Sequence, residues 1–146
     1  MIVEEIFKDV SKAFPDIKSK IKHFSGKSFM WSSPITKTIY YNKNQVESMK
    51  FSKIALKGAI AHEMSHQVAY HSLSFLGRLI FKFRYKDFRF KRDVERKADK
   101  IAVKRGFGKE LIKFFKELEN KFEKQRLIKI KKTHLSIKEI QKLISK

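Results

Sequence analysis

His62-Glu63-Met64-Ser65-His66 sits inside a stretch, Phe51 to about Ser72, whose pattern is helical. At 3.6 residues per turn the two histidines stand one turn apart on one face, so both imidazoles can reach a single ion at about 2.0–2.1 Å. Glu63 lies roughly 100° around the helix from His62, close enough to a water at that ion without ligating it. That is the place of a general base. Ala55, Gly58, Ala59 and Ala69 share the face of His62 and are small, whereas Leu56, Ile60, Met64 and Val68 cover the opposite side. One side leaves room and the other packs. Two neutral imidazoles and a carboxylate on a packed helix are expensive without a partner, and a metal supplies one. The plainer alternative is a pair of histidines with no metal.

A structural zinc site is closed by four protein ligands, whereas a hydrolytic one takes three and keeps a position open. The chain has no cysteine, so any metal must rest on His, Glu or Asp. The best third ligand lies in Asp93-Val94-Glu95-Arg96-Lys97-Ala98-Asp99, within a predicted helix from Asp87 to Arg105 that ends at Gly106. Glu95, Asp99 and Ala102 share a face with Val94 and Ala98 beside them, while Arg96, Lys97, Lys100 and Lys104 point away. Small alanines let this helix approach the first, Glu95 completes the metal set, and Asp99 accepts a hydrogen bond from the other nitrogen of a ligand histidine. Taken alone, Glu95 and Asp99 read equally as half of a surface i,i+4 charge pattern. Asp93 and Asp99 are next in line as ligands.

Around these two helices the pattern predicts a helix over Ile2–Lys22 with a break near Phe14 and Pro15, then two short strands, Ser28–Trp31 and Thr36–Asn42. An exposed edge at Thr38–Asn42 is expected to align an extended peptide. Phe81-Lys82-Phe83-Arg84-Tyr85-Lys86 and Phe88-Arg89-Phe90-Lys91 alternate aromatic and basic residues, which predicts a hairpin or extended flap over the core. Sharper readings of residues 81–91 are a lip for acidic substrates, an interfacial membrane contact or a stacking platform for single-stranded nucleic acid. Leu111, Phe115, Leu118 and Phe122 stripe a helix from about Lys109 to Arg126, and Ser136 with Glu139 forms a capping box ahead of a short final helix. The fold class expected is α+β, mostly helical with a small β-sheet or hairpin, in one domain spanning residues 1–146.

The charge, 35 basic against 15 acidic residues or +20, raises nucleic-acid binding as the rival function, with any zinc site vestigial or structural. The basic residues are spread from Lys8 to Lys146, which favours a solvated Lys-rich surface instead. Glu4, Glu5 and Asp9 reverse the charge order of a signal peptide, and Arg78 and Lys82 interrupt the most apolar stretch, Ser72–Phe83. The expectation is a cytoplasmic protein without a transmembrane segment, at most lying on a membrane surface.

His62, Glu63 and His66 followed by Glu95, Ala98, Asp99 and Ala102 give H-E-x-x-H and E-x-x-A-D-x-x-A, which resembles the gluzincin metallopeptidases. The likeness is to the zincin-like catalytic domain of the CAAX-prenyl-endopeptidase and heat-shock membrane-protease group, and to the soluble archaeal minigluzincins. Thr133-His134-Leu135-Ser136 is similar to that group's T-H-P-S stretch. The resemblance implies a metalloendopeptidase that hydrolyses peptide or protein substrates, with His62, His66 and Glu95 on Zn²⁺, Glu63 as base and then acid, and Asp99 behind the ligands. It implies that His134 faces the substrate and stabilises the oxyanion. Leu135 and Ile140 replace the relatives' proline and arginine, leaving Tyr40, Tyr41 and Tyr70 as candidates for the missing donor. It also implies latency, with residues after Lys129 filling the cleft.

Overall fold

A computed structural model describes residues 2–146. In chain order the elements are α1 (Ile2–Ser11), β1 (Lys20–Phe24), β2 (Met30–Ser32), β3 (Thr38–Asn42), α2 (Lys43–Met49), α3 (Lys53–His71), α4 (Phe75–Arg84), α5 (Phe88–Ala102), α6 (Gly108–Lys121), α7 (Lys124–Thr133) and α8 (Ile137–Ile144). The three strands form one mixed sheet in the order β1-β3-β2. β1 runs parallel to β3 with Lys20 opposite Thr38, and β2 runs antiparallel with Trp31 opposite Tyr40. The class is α+β and mostly helical.

α3 is the axis of the fold, and its burial follows from its small residues. Ser52 caps it by accepting from the Ala55 N–H, and the same hydroxyl donates to Glu117 of α6 at 2.5 Å. At Gly58 an added methyl group would sit 2.8 Å from the Leu111 nitrogen and closer still to the Glu110 carbonyl. Only glycine lets α6 lie this near. Leu56, Ile60 and Met64 then pack into an apolar cluster with Ile6 and Val10 of α1, Ile39 and Tyr41 of β3, Leu111 and Leu118 of α6, and Ile140 of α8. Between α5 and α6 the chain makes a wider turn, Val103–Phe107, where Gly106 takes φ 96°. The predicted stop at Gly106 lies in this turn.

Four expectations are corrected. The first helix stops at Ser11, ahead of Pro15, and Lys20–Phe24 is a strand. The helical spacing of Ile21 is incidental, since it stands in register with Ile39. Thr38–Asn42 is the central strand and not an exposed edge, with Thr38, Ile39, Tyr41 and Asn42 buried. A strand covered on both faces loses the polar alternation that marks an edge. Residues 81–91 form no hairpin or flap: they are the end of α4 and the start of α5. Ser74 accepts from the Gly77 N–H and Asp87 from the Phe90 N–H, so each segment carries its own helix cap, which outweighs the period-two alternation. Last, the predicted helix Lys109–Arg126 breaks at Phe122, which turns extended (φ −98°, ψ 150°). Its ring packs on Phe29 and Phe51 at 5.9 and 6.3 Å.

Candidate metal centre

Burial of α3 against α5 brings the two sequence motifs together. Ala98 and Ala102 are buried on the face of α5 that also carries Glu95 and Asp99, so the helices approach without large side chains between them. His62 Nε2 lies 3.0 Å from His66 Nε2 and 2.9 Å from Glu95 Oε2, and His66 Nε2 lies 3.3 Å from the same oxygen. All three residues are buried. Asp99 stands behind them with its Oδ1 2.8 Å from His62 Nδ1. As a carboxylate it can only accept, so Nδ1 carries the proton and Nε2 is the atom turned to Glu95 and His66.

Asp99 is fully buried and holds a second set of partners. His134 Nδ1 lies 3.2 Å from its Oδ2, and the Leu135 N–H donates to that same oxygen at 2.9 Å. The resemblance expects proline at 135, which has no N–H to give. Leucine therefore supplies a bond that the relatives' residue cannot. His134 also places Nε2 3.4 Å from Glu95 Oε2, so it reaches the ligand set from the α7–α8 turn. That turn is pinned to α5 by Arg96, whose Nη2 is 2.7 Å from Glu139 Oε1. Glu139 serves at once as the capping-box residue of α8 and the partner of Arg96, a second role with no sequence signature.

The site opens into a cleft of about 1090 Å³. Glu63, His62, His66, Glu95 and His134 line it, with β2 on one side and Lys129–Thr133 of α7 on another. Ser32 of β2 donates to the Glu63 carbonyl at 2.7 Å, which fixes that edge strand to α3 beside His62 and His66. Of the tyrosine candidates, Tyr70 lines the cleft, with its ring stacked 6.2 Å from that of His66. Tyr41 donates to Glu4 of α1 and Tyr40 pairs with Thr36, so neither hydroxyl serves the cleft. Sequence reasoning missed Tyr85, whose hydroxyl donates to Glu95 Oε1. The signal was present in its position one residue past α4 and ten before Glu95, but a flap reading turned it away. Burial first, then the charge of Glu63 on Tyr70 and of Glu95 on Tyr85, push both phenols far up, so both stay protonated and act as donors.

The donor set fits a divalent ion. Tetrahedral ligands at about 2.0–2.1 Å stand roughly 3.3–3.4 Å from one another, and the three atoms here are separated by 2.9, 3.0 and 3.3 Å. Among the described residues, two groupings could hold a metal: His62, His66 and Glu95, or His62, Asp99 and His134. The first set lines the cleft, with His134 Nε2 3.4 Å from its Glu95 oxygen. Electrostatics agree. Burial pushes Glu95 up, yet the adjoining His66 and His62 hold it well below the usual carboxylate range, and Asp99 is lowered to about 2 against burial by His134 and His62. Burial works against a charged His62, but Asp99 and Glu95 outweigh it and hold the imidazole well above its ordinary range. In the metal-free protein a proton on His62 stands where a cation would satisfy all three donor atoms.

Comparison with protein families, with curated proteins and with solved structures finds no match to this chain. No helix among the described residues is long and apolar enough to cross a membrane.

Proposed function

We propose that the chain is a zinc-dependent metalloendopeptidase of the gluzincin type. The observation that carries this reading is the convergence of His62, His66 and Glu95 on the wall of an open cleft, with Glu63 beside them and, among the described residues, no fourth group in that set. Two imidazoles and one carboxylate suit zinc, and a three-ligand site suits hydrolysis. When bound, Zn²⁺ supplies Lewis acidity that polarises a peptide carbonyl and makes a nearby water acidic. The remaining work falls to the chain. Asp99 fixes the tautomer of His62, and Tyr85 engages the second oxygen of Glu95 so that Oε2 is presented to the ion. Glu63 takes a proton from the attacking water and delivers it to the leaving amide nitrogen. Tyr70 lines the cleft as a donor toward the developing oxyanion, and His134 faces it from the α7–α8 turn. β2, the edge strand on the cleft, is the surface along which an extended peptide pairs.

The test is metal analysis of the purified protein together with casein or quenched-peptide hydrolysis, with and without chelator. Stoichiometric zinc and chelator-sensitive cleavage are expected, and Glu63→Gln should keep the zinc and lose the cleavage. Zinc without cleavage in the full chain favours latency or a structural role. Salt-sensitive binding to DNA or RNA by a zinc-free protein sinks the proposal in favour of a nucleic-acid function.

A further inference from the structure

α4 is amphipathic, and its apolar face points out. None of its ten residues is buried. Phe75, Leu76, Ile80 and Phe83 are 57, 65, 51 and 67% exposed, and with Leu79 they occupy one arc of about 140° at 100° per residue. The inward arc is short of apolar cover and is held by a few side-chain contacts. Arg78 Nη1 donates to the Ile35 carbonyl at 3.1 Å, Phe81 meets Tyr70 at 5.1 Å and Phe90 at 5.0 Å, and the Tyr85 hydroxyl reaches Glu95. The body therefore holds α4 by its polar and aromatic side and leaves its aliphatic side bare. At the same 100° per residue, Lys82 flanks the bare arc on one edge and Arg84 on the other.

We propose that this face of α4 is a docking surface for an anionic lipid bilayer. Charge identifies the occupant. Residues 75–92 hold seven basic side chains against one acid, Asp87, and that acid caps α5. A bare apolar arc bordered by cations is the pattern of a helix lying in the interface plane, its aliphatic side among the acyl chains and its cations at the headgroups. A second copy of the chain would bring two strongly basic surfaces together, which a charge of +20 on each opposes. A nucleic acid would use the cations but has no place for Leu76, Leu79 and Ile80, which offer no stacking plane. The inference does not use the metal. If both it and the proposed function hold, the bilayer lies beside the cleft, because Phe81, Lys82 and Tyr85 belong to the cleft wall.

Co-sedimentation of the full chain with vesicles tests it, comparing phosphatidylcholine alone with mixtures containing phosphatidylglycerol. Binding is expected on the anionic vesicles and should fall by at least about tenfold in the charge-preserving variant Leu76→Ser/Ile80→Ser/Phe83→Ser, with zinc content unchanged. Should that variant fail to fold, Phe83→Ser alone carries the comparison, with a loss of about threefold or more expected. Three results overturn the proposal. The protein ignores anionic vesicles, or the serine variants bind as well as the parent so that charge alone acts, or the parent is a dimer that the serine substitutions make monomeric. Failure of the metal assays leaves each of these outcomes readable.

Discussion

α3 and α4 are neighbours in the chain, and their fates are opposite. α4 offers Phe75, Leu76, Leu79, Ile80, Phe81 and Phe83 in ten residues and buries none of them, whereas α3, with three histidines, a glutamate and a glutamine, buries most of its length. Hydrophobicity does not decide this. Burial goes to the helix that can be approached, and Ala55, Gly58, Ala59 and Ala61 make α3 approachable from α6 and α5. The polar groups carried inside with them must then be satisfied, and those at 62 and 66 are satisfied only by other buried polar groups or by a cation.

The contrast breaks most severely at His62. His62→Ala removes a proposed metal ligand and strips Asp99 and Glu95 of a buried partner, so zinc should be lost outright. The metal-free protein should lose about 3–5 kcal/mol, as expected when one member of a buried charged set is deleted. Zinc stoichiometry and denaturant unfolding measure both. Ile60→Ala on the same helix should cost about 2–5 kcal/mol through its cavity, since Ile60 is wholly buried. A loss under 1 kcal/mol there would deny that α3 is the axis of the core.

Acidity sharpens the same comparison, because the two ends of the pH range act on one cluster. The folded pKa of Asp99 lies at about 2 against an ordinary 3.8. Its stabilising contribution is present above pH 3.8 and is lost as pH falls toward 2. His62 moves the other way: its folded value is raised, so its contribution is full below about pH 6.5 and drains away as pH rises through the folded value. Chelated protein should therefore melt at progressively lower temperature as pH climbs above 6.5, and zinc, standing in for the proton, should remove that alkaline slope. Parallel melting curves with and without zinc across that range contradict the assignment of His62.

A gentler probe is Tyr85→Phe. It deletes the hydroxyl on Glu95 while keeping the ring against Phe81, so zinc affinity should fall by about tenfold with little change in fold. Chelator competition reads the change, and an unaltered affinity removes Tyr85 from the site.

These residues also mark how far sequence alone reached. H-E-x-x-H and the Glu95–Asp99 spacing were legible because a helix turns spacing into geometry, and the structure brings those side chains within hydrogen-bond distance of one another. Caps were legible for the same local reason: Ser136 and Glu139 specify α8 by themselves. What could not be read depends on partners distant in the chain. β1 is a strand because β3 lies beside it, and Phe122 leaves its helix because Phe29 and Phe51 wait for its ring. Tyr85 and Leu135 join the site only once α4 and the α7–α8 turn are placed, and a backbone N–H such as that of Leu135 has no signature in a sequence at all.

The smallest expected effect is the most discriminating for α4. Ile80 is an aliphatic residue of the same type as Ile60, on a helix of similar regularity, yet it is 51% exposed. Ile80→Ala should change stability by less than about 0.5 kcal/mol, since little area returns to water and alanine is the better helix former by a few tenths. Urea titration of the two variants side by side isolates burial from residue type. If Ile80→Ala costs as much as Ile60→Ala, the outer face of α4 is already covered in solution, and a protein partner, not a lipid surface, becomes the explanation for its aliphatic side chains.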